Sequence, residues 1–135
     1  MLNNIITTLD IQTRPNDLDA LSHVNNGVIF SYLETARFDF MNKNGIKENL
    51  NIVPVVARSN IHYLLEITIH DMIYVETEII NYERCVYKIN FSQNIKSRLD
   101  ADKIYVKSDI ECAFIDKNSR TLCSASEFLN TAIAK

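Results

Sequence analysis

The sequence predicts an α+β fold: one long helix laid against an antiparallel sheet. Three observations lead there. A strand-like segment at the start is followed by a helical stretch, and after Gly45 only strand-like segments remain. Those later segments alternate apolar and polar residues, the period of a half-buried strand. The connections between them are short, which favours antiparallel neighbours. The chain of 135 residues is the length of a single domain spanning 1–135, large enough to bury a core without disulfides or metals.

The first strand spans Ile5 to Thr13, where Leu9, Ile11 and Thr13 alternate with Asp10 and Gln12. Arg14-Pro15-Asn16-Asp17 ends it, because proline and Asn-Asp form turns. The chain then runs as a loop to Asn26. Asn25 or Asn26 caps a helix whose apolar stripe is Val28, Tyr32, Ala36 and Phe40, thickened by Ile29, Leu33 and Met41. Gly45 is its natural stop. Some 16–18 residues give a helix of about 24–27 Å, and Glu34 and Arg37 stand three apart for a surface pair. The remaining strands are Ile52 to Ile69, then Ile73 to Glu78 after a His70-Asp71 turn, Val86 to Ile95, Ile104 to Phe114, and Thr121 to Phe128 after a hairpin turn at Asp116-Lys117-Asn118-Ser119.

Composition narrows function. Two glycines and two prolines exclude collagen-like or disordered chains and disfavour a glycine-rich phosphate loop. A net charge of −3 argues against nucleic acid as partner. Lys96, Arg98, Lys103 and Lys107 are interrupted by Asp100 and Asp102 and form a solvated face. Cys85, Cys112 and Cys123 have no C-x-x-C spacing, so neither a metal site nor a redox pair is expected, and unpaired cysteines fit a reducing compartment, the cytoplasm. No apolar run approaches the roughly 18 residues of a membrane span.

The chemistry concentrates in Asp17-Leu18-Asp19-Ala20-Leu21-Ser22-His23-Val24-Asn25-Asn26, just before the helix. A helix N-terminus offers unpaired N–H groups and a partial positive charge, which suit a carbonyl oxygen gaining negative charge in acyl transfer. A carboxylate in the preceding loop could attack the acyl carbon or activate water. The same residue types also make ordinary caps and Asx turns. His62 and His70 give His23 no metal spacing, and no G-x-S-x-G elbow is present.

That run, followed by Tyr32-Leu33-Glu34-Thr35-Ala36-Arg37, resembles the 4-hydroxybenzoyl-CoA thioesterase-like branch of the hotdog-fold acyl-CoA thioesterases. Val56-Ala57-Arg58 through Tyr63-Leu64, and Asp71 through Thr77, look like that family's next strands; the likeness covers about residues 5–125. It implies a hotdog fold, a central helix wrapped by a curved sheet in the order β-α-β-β-β-β. It also implies homodimers or homotetramers with sites between subunits, and hydrolysis of an acyl-CoA or acyl carrier protein thioester without cofactor or metal. By the same resemblance Asp19 is the nucleophile or general base, the backbone amide near Asn26 holds the thioester carbonyl where Gly27 lets backbone come close, and His23 and Asn25 shape the pocket. Asp17 fixes the loop, and Glu34 is a secondary candidate. Ser22 stands where the family pattern has glycine, a costly exchange if that position needs φ > 0. That departure motivates the alternative of a non-catalytic acyl-CoA or carrier-protein binder. A hotdog dehydratase is a weaker reading, since Asp19 and His23 do not match the hydratase spacing.

Overall fold

A computed structural model describes residues 6–44, 51–80 and 87–124. The elements are β1 (Ile6–Ile11), α1 (Asn26–Lys43), β2 (Ile52–Tyr63), β3 (Ile73–Ile80), β4 (Lys88–Ser97) and β5 (Ile104–Asp116). The five strands form one sheet in the order β1-β3-β4-β5-β2, with every neighbouring pair antiparallel. One long helix against such a sheet is the hotdog fold.

Helix α1 begins where the sequence places it, with Asn25 as cap, and runs for 18 residues. It turns Ile29, Tyr32, Leu33, Ala36 and Phe40 toward the sheet. Phe40 and Leu33 are fully buried, each worth about 1.5–3 kcal/mol of hydrophobic stabilisation. Phe40 meets Phe91 edge to face, with ring centroids 5.7 Å apart, a favoured aromatic geometry. The sheet answers with its inward residues: Ile73, Val75 and Ile79 from β3, Ile89, Phe91 and Ile95 from β4, and Val106, Ile110 and Phe114 from β5. The strict alternation along β3 and β4 is the burial pattern itself.

Three expectations need correction. The second strand ends at Tyr63, not Ile69; the backbone of Leu64 and Leu65 turns to Tyr105 instead, and Asp71 closes a turn through the amide and hydroxyl of Thr68. β2 also lies at the far edge beside β5, away from β3, with Ala57 bulged out of its ladder. The third correction is Arg37, which is buried at 6% exposure rather than paired with Glu34 at the surface. Its Nη1 donates to Gln93 Oε1 at 2.9 Å. Gln93 Nε2 in turn donates to Leu33 O at 2.8 Å and Thr77 Oγ1 at 3.0 Å, tying helix to sheet.

The hairpin turn at Asp116 is present: its Oδ1 accepts from the amides of Asn118 and Ser119, and Leu122 bridges back to Ile115. Gly45, Cys85 and most of the expected closing strand to Phe128 lie outside the described residues. Among the described residues no helix is long and apolar enough to cross a membrane.

Candidate functional site

The loop before α1 is fastened at both ends by Asp17. Pro15–Asp17 forms a short 3-10 turn. Asp17 is buried, and its Oδ2 accepts from the Arg14 amide at 3.0 Å and the Tyr32 hydroxyl at 2.5 Å, while Oδ1 accepts from Arg14 Nη2 at 3.2 Å. Burial pushes this carboxyl up, but the Tyr32 and Arg14 donors together outweigh it and hold it below its ordinary 3.8. Tyr32, desolvated and donating to that carboxylate, is pushed up to about 12. The backbone oxygen of Asp17 accepts from Asn25 N at 2.9 Å, at the other end of the loop. Val24 N donates to Ile67 O at 2.8 Å, and Leu18 bridges Val24, so the loop also grips the segment after β2.

Between these anchors Asp19 to His23 makes a tight turn. Asp19 N donates to His23 O at 2.8 Å, and Ser22 N to Asp19 O at 3.0 Å. Asp19 is exposed, and its Oδ1 accepts from Leu21 N at 2.9 Å and His23 N at 3.3 Å. Its Oδ2 has no protein donor among the described residues. Two amides thus fix the carboxylate's orientation and leave one oxygen open to a solute. Ser22 closes the turn at φ 63, in the left-handed region. A serine therefore adopts the conformation that glycine takes most cheaply. His23 Nε2 lies 3.0 Å from Glu66 Oε2. No motif points to Glu66, which arrives from the irregular segment after β2, a stretch whose composition predicts strand.

The start of α1 faces the same loop. Asn25 Oδ1 accepts from Gly27 N at 2.7 Å, and Asn25 O from Ile29 N at 3.0 Å. The amides of Asn26 and Val28 have no acceptor among the described residues, leaving two donors at the positive end of an 18-residue helix. A Cβ on Gly27 would sit 3.2 Å from Asn25 Oδ1, so glycine is what lets the cap close tightly.

A cavity of about 820 Å³ opens between α1 and the first half of β2. Phe30, Phe38 and Met41 wall it on the helix side and Val53 and Val55 on the strand side, with Phe91 and Cys112 from the sheet. Of the site residues singled out from sequence, Glu34 lines it; Asp19, His23, Asn25, Asn26 and Gly27 do not. Asn26 nonetheless stands one turn before Phe30 in the row Asn26, Phe30, Glu34, Phe38, so the helix start lies at the head of the row that lines the cavity.

The fold is a hotdog sheet with one central helix, and the loop before that helix sets an exposed, oriented carboxylate near its open N-terminal amides. The family model of the thioesterase-like superfamily matches residues 13–133. The chain belongs to that superfamily and so stands among the thioester hydrolases. Solved structures agree in fold. PA2801 from Pseudomonas aeruginosa, a candidate thioesterase, is 22% identical with a TM-score of 0.79, over 95% of this chain and 96% of that one. Slr0204 from Synechocystis, a 1,4-dihydroxy-2-naphthoyl-CoA thioesterase, has a TM-score of 0.82 at 13% identity, over 96% of each chain. XC229 from Xanthomonas campestris, a candidate acyl-CoA thioesterase, is 27% identical with a TM-score of 0.72, over 82% of this chain and 92% of that one. No curated protein matches by sequence.

Proposed function

We propose that this protein hydrolyses an acyl-CoA thioester to a carboxylic acid and CoA, with Asp19 as the reacting carboxylate. The observation that carries the reading is the Asp19 side chain: one oxygen held by two backbone amides, the other open, beside a helix start with two unpaired N–H groups. As general base, Asp19 takes a proton from water, and the hydroxide adds to the thioester carbon. The oxyanion rests on the Asn26 amide, and the CoA thiolate leaves with the proton from Asp19. As nucleophile, Asp19 displaces the thiolate and forms a mixed anhydride that water then opens. Heavy-oxygen water separates the general-base route from an anhydride opened at the Asp19 carbonyl: in a single turnover the former puts the label in the acid, whereas the latter leaves the Asp19 oxygen in the acid and the label on Asp19. His23, held 3.0 Å from Glu66, flanks the turn that carries Asp19. Asn25 fixes the helix start, and Gly27 leaves room for the thioester.

The outer edge of β2, unpaired among the described residues and with Val55, Val56 and Tyr63 exposed along it, suits strand pairing with a second copy in a homodimer, or in a homotetramer of two such pairs. Glu34, exposed on the cavity rim, is the secondary carboxylate. The alternative of a non-catalytic binder drew its motive from Ser22. With Ser22 in the left-handed conformation the turn is kept, which favours the hydrolase.

The test follows thiol release over short, long and aromatic acyl-CoAs. Asp19→Asn should lower kcat at least tenfold with unchanged far-UV circular dichroism. Equal rates for the variant and the parent protein would overturn the assignment. Thermal stabilisation by CoA esters without any hydrolysis would install the binder instead.

A further inference from the structure

Arg37 is a buried cation with too few partners. It is 6% exposed, and its guanidinium carries five N–H donors. One of them reaches Gln93 Oε1, a neutral acceptor whose own amide is committed to Leu33 and Thr77. No carboxylate among the described residues comes within 4.0 Å of it. Cys112 beside it offers no counter-charge, since burial pushes that thiol up to about 11. The Phe30 ring, 5.8 Å from Cζ, supplies only a weak cation–π contact. Burying an arginine without an anion is costly. Arg37 lines the cavity between α1 and β2, whose other walls are Phe30, Phe38, Met41 and Phe91.

We propose that this cavity takes the acyl group and that Arg37 determines specificity for acyl chains ending in a carboxylate. The inference rests on the hydrolase reading and names its substrate class. A carboxylate matches the guanidinium fork, which binds it through two parallel hydrogen bonds. The apolar walls suit the methylene body between the two ends. From the Asn26 amide, which holds the oxyanion in the proposed reaction, to Arg37 is eleven residues, about 16 Å along the helix at 1.5 Å each. The arginine side chain leans back toward the N-terminus and shortens that span. A medium-length dicarboxylic monothioester fits between them. Glu34, exposed on the rim, attracts the guanidinium through space without forming an ion pair with it.

The experiment compares adipoyl-CoA with hexanoyl-CoA, which differ by the terminal carboxylate. For the parent protein we expect kcat/KM to favour adipoyl-CoA by at least tenfold. In Arg37→Met the ratio should fall close to one, and in Arg37→Lys it should lie between, since lysine keeps the charge but not the fork. If the arginine variants do not fold, the parent protein still decides: adipoyl-CoA should raise its Tm more than hexanoyl-CoA does. Preference for hexanoyl-CoA, or equal handling of both, overturns the proposal while leaving the hydrolase standing. Hydrolysis of neither ester, with adipoyl-CoA still the better stabiliser, would instead sink the hydrolase reading and keep the cavity assignment. Equal handling together with loss of an oligomer in Phe38→Asp would give the cavity to a second copy of the chain.

Discussion

Replacing Ser22 with glycine should make this protein more stable. Ser22 sits at φ 63, and the left-handed conformation costs an L-residue roughly 1–2 kcal/mol. Its side chain is exposed, with no hydrogen-bond partner among the described residues, so nothing is lost with it. Against the relief stands the extra freedom glycine gives the unfolded chain, roughly 0.5–1 kcal/mol. The difference is a gain of about 0.5–1 kcal/mol. For a chain of 135 residues that is a rise in Tm of about 2–4 °C. Ser22→Ala keeps the Cβ and the strain, and should stay within about 0.5 kcal/mol of the parent. Ser22→Val adds a branched Cβ where even an unbranched one is strained, and should cost at least about 1 kcal/mol. Urea melts of the three variants, read by circular dichroism with equal m-values, give the comparison. If glycine proves no more stable than serine, or valine no worse than alanine, the left-handed turn does not exist in solution. The account of why this position tolerates serine then fails with it. Ser22→Gly should also retain thioester hydrolysis, because the turn that orients Asp19 is the same.

The anchor beneath that turn makes further predictions. Asp17→Asn should cost about 2 kcal/mol, most of it from weakening the bonds with Tyr32 and the Arg14 amide; the Arg14 guanidinium is 75% exposed and adds little. Because folding lowers the Asp17 pKa, its contribution is present above 3.8 and disappears as pH falls through the folded value. Melting curves of the parent and Asp17→Asn should therefore converge in acid. Tyr32 has the opposite sign: its contribution is present below 10.0 and is lost as pH rises through about 12. Ultraviolet titration should find a tyrosine ionising near 12 that vanishes in Tyr32→Phe. Asn25→Ala removes the cap bond to Gly27 and should cost about 1 kcal/mol. Asn25→Asp keeps the bond but sets a negative charge beside the Asn26 amide, so on the proposed mechanism kcat falls while Tm holds.

What the sequence could show was what local chemistry decides. The cap at Asn25, the apolar stripe of α1 and the alternation of β3 and β4 are each written in a few consecutive residues, and each stands where it was expected. β2 was over-extended because an edge strand with exposed Val55, Val56 and Tyr63 has no clean alternation to mark its end. Its place beside β5 depends on pairing between distant segments, which no window reveals. The acidic loop was legible as a cluster, but not the division of labour within it. Asp17 turned out to be buried and fully bonded while Asp19 is open. Two residues of spacing cannot distinguish these, whereas Tyr32 on the facing helix does.

Arg37 shows the sharper lesson. Its spacing from Glu34 predicts a surface pair, because opposite charges three apart on a helix usually meet in water. Yet it lies inside the stripe of Leu33, Ala36 and Phe40, and the sheet carries polar residues in the same inward phase. Thr77 stands between Val75 and Ile79, Gln93 between Phe91 and Ile95, and Ser108 between Val106 and Ile110. Taken singly, each is an ordinary interruption of an apolar pattern. A buried polar group must find a partner, so several interruptions facing one core have to find one another. Ser108 Oγ donates to Gln93 O at 2.6 Å, Gln93 to Thr77 and Leu33, and Arg37 to Gln93. The chain of bonds ends at the guanidinium, the one member whose charge no neutral partner can satisfy, and it does so on the wall of the cavity between α1 and β2. On the proposal above, the thread ends where the substrate's far carboxylate is held.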